Sequence, residues 1–384
     1  METSQKTNKN SRKRHLSDFG QVVLVFQGGG ALGAYQAGVY QALHEAGIEP
    51  DWIIGTSIGA INAALIAGSK PETRIDALRR FWNRVEQKDM SKWFPFAPAL
   101  ARAMPNLDAM TRGIPGFYEP NLTAALGVKA TMPPEKVAYY STEPLARTLA
   151  ELVDFKQLNA GAPRLTVGTA HVTTSEMKYF DSRDTTLDAR HVMASGALPP
   201  AFPAVRIEGD LYWDGGILSN TPVEAVFDDK PRRNSIVISV HIWNPDGDEP
   251  TTIWQALNRQ KDIQYSSRTS SHIRRQQQIH HLRHIIAELS AKMQPELRES
   301  QAMRDMAAYG CLTQMHVVRL LAPQLAGEDQ TKDIDFSPQG IGQRWNAGHA
   351  DTVAMLEKAP WEADADPLDG FHLHEIRSDL PQMG

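Results

Sequence analysis

The chain has 384 residues, 41% of them hydrophobic and 22% charged, which suffices for one large α/β domain or two small ones. Its net charge of −5 argues against a general nucleic-acid binder, and a single cysteine, Cys311, excludes an internal disulfide framework. No apolar run approaches the ~20 residues of a transmembrane helix, and the polar, basic start has no apolar signal core. The expectation is a soluble cytoplasmic protein, at most peripheral at the inner face of the membrane.

In chain order, residues 1–19 read as a disordered basic tail, with Lys6, Lys9, Arg12, Lys13 and Arg14 against Glu2. Weak attraction of that tail to anionic lipid is the sharper alternative. A catalytic domain is expected over 20–250. QVVLVF from Gln21 is a buried strand, Gly28–Gly33 a turn, and a helix follows to about Gly47. Asp51–Ile54 is a second strand, then comes Gly55-Thr56-Ser57-Ile58-Gly59 and an alanine-rich helix. Two βα units in succession predict a parallel sheet covered by helices. The aromatic and Met-rich insertion near 88–135 breaks the periodicity. Its residues Trp93, Phe94, Phe96, Met104, Met110, Phe117 and Tyr118 read as the cover of an apolar cleft or as a mobile lid. A helix at PLARTLAELV and strands at RLTVGTAHV, MKYFDS and Leu211–Trp213 follow, with SIVISVHIW (235–243) as a central strand. Residues 251–358 read as a C-terminal helical extension with a last strand and helix packed on the same domain. Residues 359–384 read as an acidic tail.

Gly-Thr-Ser-Ile-Gly between a strand and a helix is the setting in which a serine becomes a nucleophile. The glycines permit the sharp turn, and the helix directs its N-terminal amides at the Ser57 hydroxyl. Gly28-Gly29-Gly30-Ala31-Leu32-Gly33 has two readings. It matches the dinucleotide fingerprint, but Asp51 starts its strand where a ribose-binding acid should end one. Alternatively, its amides face an anion formed beside Ser57, since parallel neighbouring strands carry both turns to one sheet edge. For Gly33 and Gly38, close helix packing alone is a sufficient reading. None of the thirteen histidines is placed as a base. His280, His281 and His284 sit among arginines and read as a solvated face. Asp214, at a strand end before Gly215 and Gly216, could take a proton from a serine directly, although Asp-Gly-Gly alone is more often a turn. No ligand-spaced cluster calls for a metal.

Taken together, Gly-Gly-Gly-x-x-Gly, Gly-Thr-Ser-Ile-Gly and Asp-Gly-Gly, in that order, resemble the patatin-like phospholipase family. Ala194-Ser195-Gly196-Ala197-Leu198-Pro199 and the run from Asp214 to Pro222 add to the resemblance, which covers about Val22 to Leu356. The later part resembles a bacterial branch with an extended C-terminal region. One departure is Leu32, where many members carry Arg or Lys. The resemblance implies a three-layer α/β/α fold with a mainly parallel sheet. It also implies a Ser57–Asp214 dyad with Gly28, Gly29 and Gly30 around the oxyanion, supported by Gly33, Gly55, Gly59, Gly215 and Gly216. The implied activity is acyl-ester hydrolysis (EC 3.1.1 type) of phospholipids or lysophospholipids through an acyl-enzyme, without cofactor or metal. Members of this branch are associated with a 3-hydroxybutyrate dehydrogenase, which makes that enzyme a candidate partner. The basic run Arg259–Arg283 offers a surface for a partner or for anionic lipid. Two other readings stay open: a catalytically weak interaction protein of the same fold, and a nucleotide-binding oxidoreductase, which leaves Ser57 and Asp214 unexplained.

Overall fold

β-Branched and leucine-rich runs build the centre of the molecule. The computed structural model describes residues 16–87, 108–127, 129–325, 328–363 and 369–377. β1 (Gln21–Phe26) pairs in parallel with β2 (Trp52–Gly55) on one side and β9 (Ser235–His241) on the other. β9 is buried at every position, as expected of a strand covered on both faces. β2 continues in parallel to β5 (Arg164–His171), where the sheet turns mixed. β5 runs antiparallel to both β6 (Met177–Asp181) and β8 (Asp210–Asp214), and β8 pairs with the edge strand β7 (Val205–Ile207). β10 (Met315–Leu321) joins β9 in parallel on the far side. β3 (Glu119–Pro120) and β4 (Tyr140–Ser141) form a separate small ribbon.

Alternate residues of each central strand serve different layers. Leu24, Phe26, Ile53, Ile238 and Val318 face α1 (Ala34–Glu45), α2 (Ile58–Ala67) and the closing helix Pro338–Lys358. Val23, Val25, Ile54, Val237 and Val317 face the other way, against Val226 and Phe227 of the short helix Glu224–Phe227 and Ile273 of the long helix Ile253–Lys292. The expected three layers and mainly parallel sheet are therefore present. α1 and the closing helix nearly touch backbones: a side chain at Gly38 would strike the Trp345 carbonyl, and one at Gly348 the Tyr35 carbonyl. Helix packing thus accounts for Gly38.

Two expectations need correction. Residues 371–377, expected within an acidic tail at 359–384, form a further strand, β11, parallel to β10 at the sheet edge. The Pro- and Asp-rich stretch before it hides the alternation of Phe371 and Leu373, which face the core. His280 and His284 are not on a solvated face. Both are buried, with their Nε2 atoms 2.8 and 2.9 Å from the Thr313 carbonyl. Counting arginines in the sequence masked the one helical stripe that faces the sheet. The basic tail residues before Leu16 and the lid residues Trp93, Phe94, Phe96 and Met104 lie outside the described residues.

Candidate active site

The chain turns sharply after β2, and Ser57 takes the strain. Its φ of 57° and ψ of −125° lie in a region that non-glycine residues rarely adopt. The turn holds because its neighbours fix it. The Ser57 amide donates to the Ser195 carbonyl at 3.1 Å and to Ser195 Oγ at 3.0 Å, and that hydroxyl donates to the Gly168 carbonyl at 2.7 Å. Thr56 N–H reaches the Phe26 carbonyl at 3.2 Å. Gly59 is required on the far side, because any Cβ there would strike the same carbonyl. α2 begins at Ile58, so its N-terminus points at the Ser57 side chain, which is partly accessible.

Asp214 arrives from β8, across β5 from the Ser57 turn. It ends β8 in register with Thr169 of β5, its amide held by the Ala197 carbonyl at 3.0 Å. The carboxylate is 3% exposed and accepts from the Gly216 amide at 2.7 Å. Burial pushes its pKa up to about 7, although the Gly216 amide bonded to the carboxylate and the nearby Ser57 hydroxyl pull it down. The geometry therefore brings Ser57 and Asp214 together, with no histidine hydrogen-bonded to Ser57 among the described residues. A carboxylate that is about half ionised at neutral pH is suited to exchange a proton with a serine.

The glycine loop closes the third side. A Cβ on Gly28 would lie 2.9 Å from Ser57 Cβ, so the loop passes directly against the serine. Gly28 itself is fully engaged. Its N–H donates to the Asn220 carbonyl at 3.2 Å, and its carbonyl accepts from Asn220 Nδ2 at 3.0 Å and Trp243 Nε1 at 2.7 Å. The amides of Gly29 and Gly30 donate to no group among the described residues and so remain for a ligand. Gly30 takes a left-handed φ of 55° with the Asp333 carbonyl packed against it. Gly33 lies against Ile58, where a Cβ would approach its Cγ1 to 2.6 Å, and Gly55 lies against the backbone of Gly59. Gly215 packs in the same way on the Gly168 carbonyl, and Gly216 on Asn220 Oδ1.

An aromatic wall stands beside these turns. Phe117, Tyr118, Tyr140 and Phe202 contact one another, with Tyr118 and Phe202 centroids 5.2 Å apart, and Phe117 reaches Phe336 at 5.8 Å. Phe202 follows the Gly196 turn, which lies against Ser57, and Tyr118 senses the charge of Asp333. Of the insertion residues expected to cover a cleft, Phe117 and Tyr118 are buried in this wall, whereas Met110 is exposed. Sequence reasoning missed several contributors. Ser195 and Asn220 stood inside recognised motifs, so their place was readable although their roles were not. Trp243, Tyr265 and Asp333 carried no local signal.

A strained serine on a strand–turn–helix, with a buried carboxylate and a glycine loop beside it, marks an α/β protein with a nucleophile-elbow type of turn. A family model described as patatin-like phospholipase matches residues 24–227, and a second, described as patatin phospholipase, matches 263–368. The chain belongs to the patatin-like phospholipase family. It is also similar to neuropathy target esterase sws of Drosophila melanogaster, 42% identical over 71 residues. That stretch is 18% of this chain and 5% of the fly protein. Among solved structures, VipD from Legionella pneumophila is 16% identical with a TM-score of 0.36, covering 88% of this chain and 67% of its own. The type III effector protein ExoU is 14% identical with a TM-score of 0.33, covering 89% and 53%.

Proposed function

We propose that this protein is a lipid acyl hydrolase that cleaves acyl esters of phospholipids or lysophospholipids through Ser57 and Asp214. The observation that carries this reading is the convergence of the Ser57 hydroxyl, the Asp214 carboxylate and the Gly28 backbone at one sheet edge. Asp214 takes the proton as Ser57 Oγ attacks the ester carbonyl, and the resulting oxyanion is received by the Gly29 and Gly30 amides. The sequence reading placed Gly28 with them, but its amide is committed to Asn220, so its part is to shape the loop. Collapse expels the alcohol, which regains the proton from Asp214. Water then enters and attacks the acyl carbonyl as Asp214 takes its proton, and the fatty acid leaves as Ser57 Oγ regains that proton from Asp214.

The substrate class rests on the family and on the aromatic wall, which offers an apolar bed for an acyl chain. A membrane approach fits the exposed Ile253, Trp254 and Leu257, which start the long helix just beyond the C-terminal end of β9. A protein partner on the long helix, such as a 3-hydroxybutyrate dehydrogenase, belongs to the same reading. Its support is narrower than the charge count implied: Arg259 is tied to the Asn244 and Pro245 carbonyls and Lys261 to Asp333, leaving Arg274 and Arg275 outward. The test is a fluorophosphonate probe followed by a lipid panel with mass-spectrometric product detection. Labelling at Ser57 and release of fatty acid are expected. An unlabelled protein that releases no fatty acid from any lipid would overturn the reading.

A further inference from the structure

We propose that Trp243 is a positioning residue for the glycine loop: with Asn220 it grips the Gly28 carbonyl and so fixes where the Gly29 amide faces. The inference deepens the acyl-hydrolase reading and rests on it for its catalytic consequence. A trans peptide is planar, so the carbonyl of one residue and the N–H of the next point in opposite directions. The Gly28 carbonyl is held by two donors at once, the Trp243 indole N–H at 2.7 Å and Asn220 Nδ2 at 3.0 Å. Fixing that oxygen fixes the Gly29 N–H on the other side of the same plane. Without the grip, a glycine pair of this kind rotates freely and its amide spends time facing elsewhere. Gly29 is itself matched to the indole, because a Cβ there would lie 2.7 Å from Trp243 Nε1.

The indole is in turn held from behind by the C-terminal region. Tyr265 of the long helix packs on it with centroids 4.8 Å apart, and Lys332 Nζ lies 5.4 Å from its centroid. Lys332 is locked in a buried ion pair with Asp262, one turn before Tyr265, at 2.7 Å. The neighbouring Asp333 is tied to Lys261 at 2.7 Å while its carbonyl packs against Gly30. The long helix and the loop around Lys332 thus clasp each other across Trp243. On this account the C-terminal region is part of the catalytic apparatus.

Trp243→Phe keeps a ring and removes the donor. On a soluble p-nitrophenyl ester, kcat is expected to fall about 10- to 100-fold with KM nearly unchanged. The acidic limb of the pH profile should stay where it is in the wild type, since Asp214 is untouched; a merely structural defect would not give that combination. Asn220→Ala removes the other donor and should show the same split even if the Trp243 variant fails to fold. The double variant should lose less than the product of the two, because both act on one carbonyl. A wild-type kcat in folded Trp243→Phe, while Ser57 still labels, overturns the positioning role and leaves the hydrolase reading intact. If the wild type neither labels nor turns over, the hydrolase reading fails instead. The grip is then judged by a crystal structure of Trp243→Phe: a rotated Gly28–Gly29 peptide supports it, an unmoved one overturns it.

Discussion

The Ser57 turn and the Gly28 loop sit at the ends of neighbouring parallel strands, yet they keep their shapes by different means. The serine turn is braced by its own helix and by two neighbouring segments. Its own helix, the Phe26 carbonyl and the Ser195 turn hold a backbone conformation costing about 1–3 kcal/mol. The glycine loop has little shape of its own and is held from outside by Asn220, Trp243 and Asp333. One turn is strained and braced by its own helix as well as by neighbours, the other is compliant and wholly borrowed. The strained turn carries a backbone angle of its own, whereas the glycine loop takes its shape from tertiary contacts alone.

The comparison breaks most sharply at the serine itself. Ser57→Ala should abolish probe labelling and hydrolysis while the thermal midpoint stays within a few degrees, read by intact-protein mass spectrometry and calorimetry. Asp214→Asn should lower kcat about 1,000-fold or more, and it should also stabilise the fold. The sign follows from the raised pKa of about 7 against 3.8 in the unfolded chain. Between those two values the folded state keeps a proton that the unfolded state has lost, so the wild type loses stability as pH rises. Asparagine removes that loss, and the gain should grow from pH 5 to pH 8, reaching about 4 kcal/mol by urea titration. A gain independent of pH would refute the buried-carboxylate argument. For the wild type, kcat/KM should rise with pH through about 7 and then level.

The borrowed side is tested by Lys332→Met. It removes one partner of the buried pair and leaves Asp262 to be buried alone, a change that costs about 3–5 kcal/mol. A lowered midpoint together with reduced kcat is expected; reduced stability at full kcat would mean that the clasp carries fold alone. The smallest effect should come from Ser195→Ala. It leaves the Ser57 amide bonded to the Ser195 carbonyl at 3.1 Å and strips the Gly168 carbonyl of one donor. A loss of about 1 kcal/mol and a few-fold drop in kcat are expected.

How much of this was legible follows the same division. Gly55-Thr-Ser-Ile-Gly59 announces itself because its two glycines and serine lie within five residues, between a strand and a helix. Asp214 was legible only once three motifs were seen in order, since Asp-Gly-Gly alone is a turn signal. The grip on Gly28 spans 215 positions between Trp243 and the loop, and nothing in a tryptophan after a strand tells which carbonyl it will find. β11 escaped because seven residues with four polar positions follow a stretch rich in Asp and Pro. The buried His280 and His284 escaped because one helix of 40 residues carries both a core stripe and an outward basic face.

The order of the strands has a consequence for synthesis. β1, β2, β5, β8 and β9 are all made before the long helix, so Ser57 and Asp214 can meet while the far edge of β9 is still bare. That edge is closed by β10 and β11, and the wall behind the glycine loop by Lys332 and Asp333, all from the last third of the chain. A nascent chain therefore places Ser57, Asp214, Asn220 and Trp243 before the contacts that Lys332 and Asp333 make behind the loop exist.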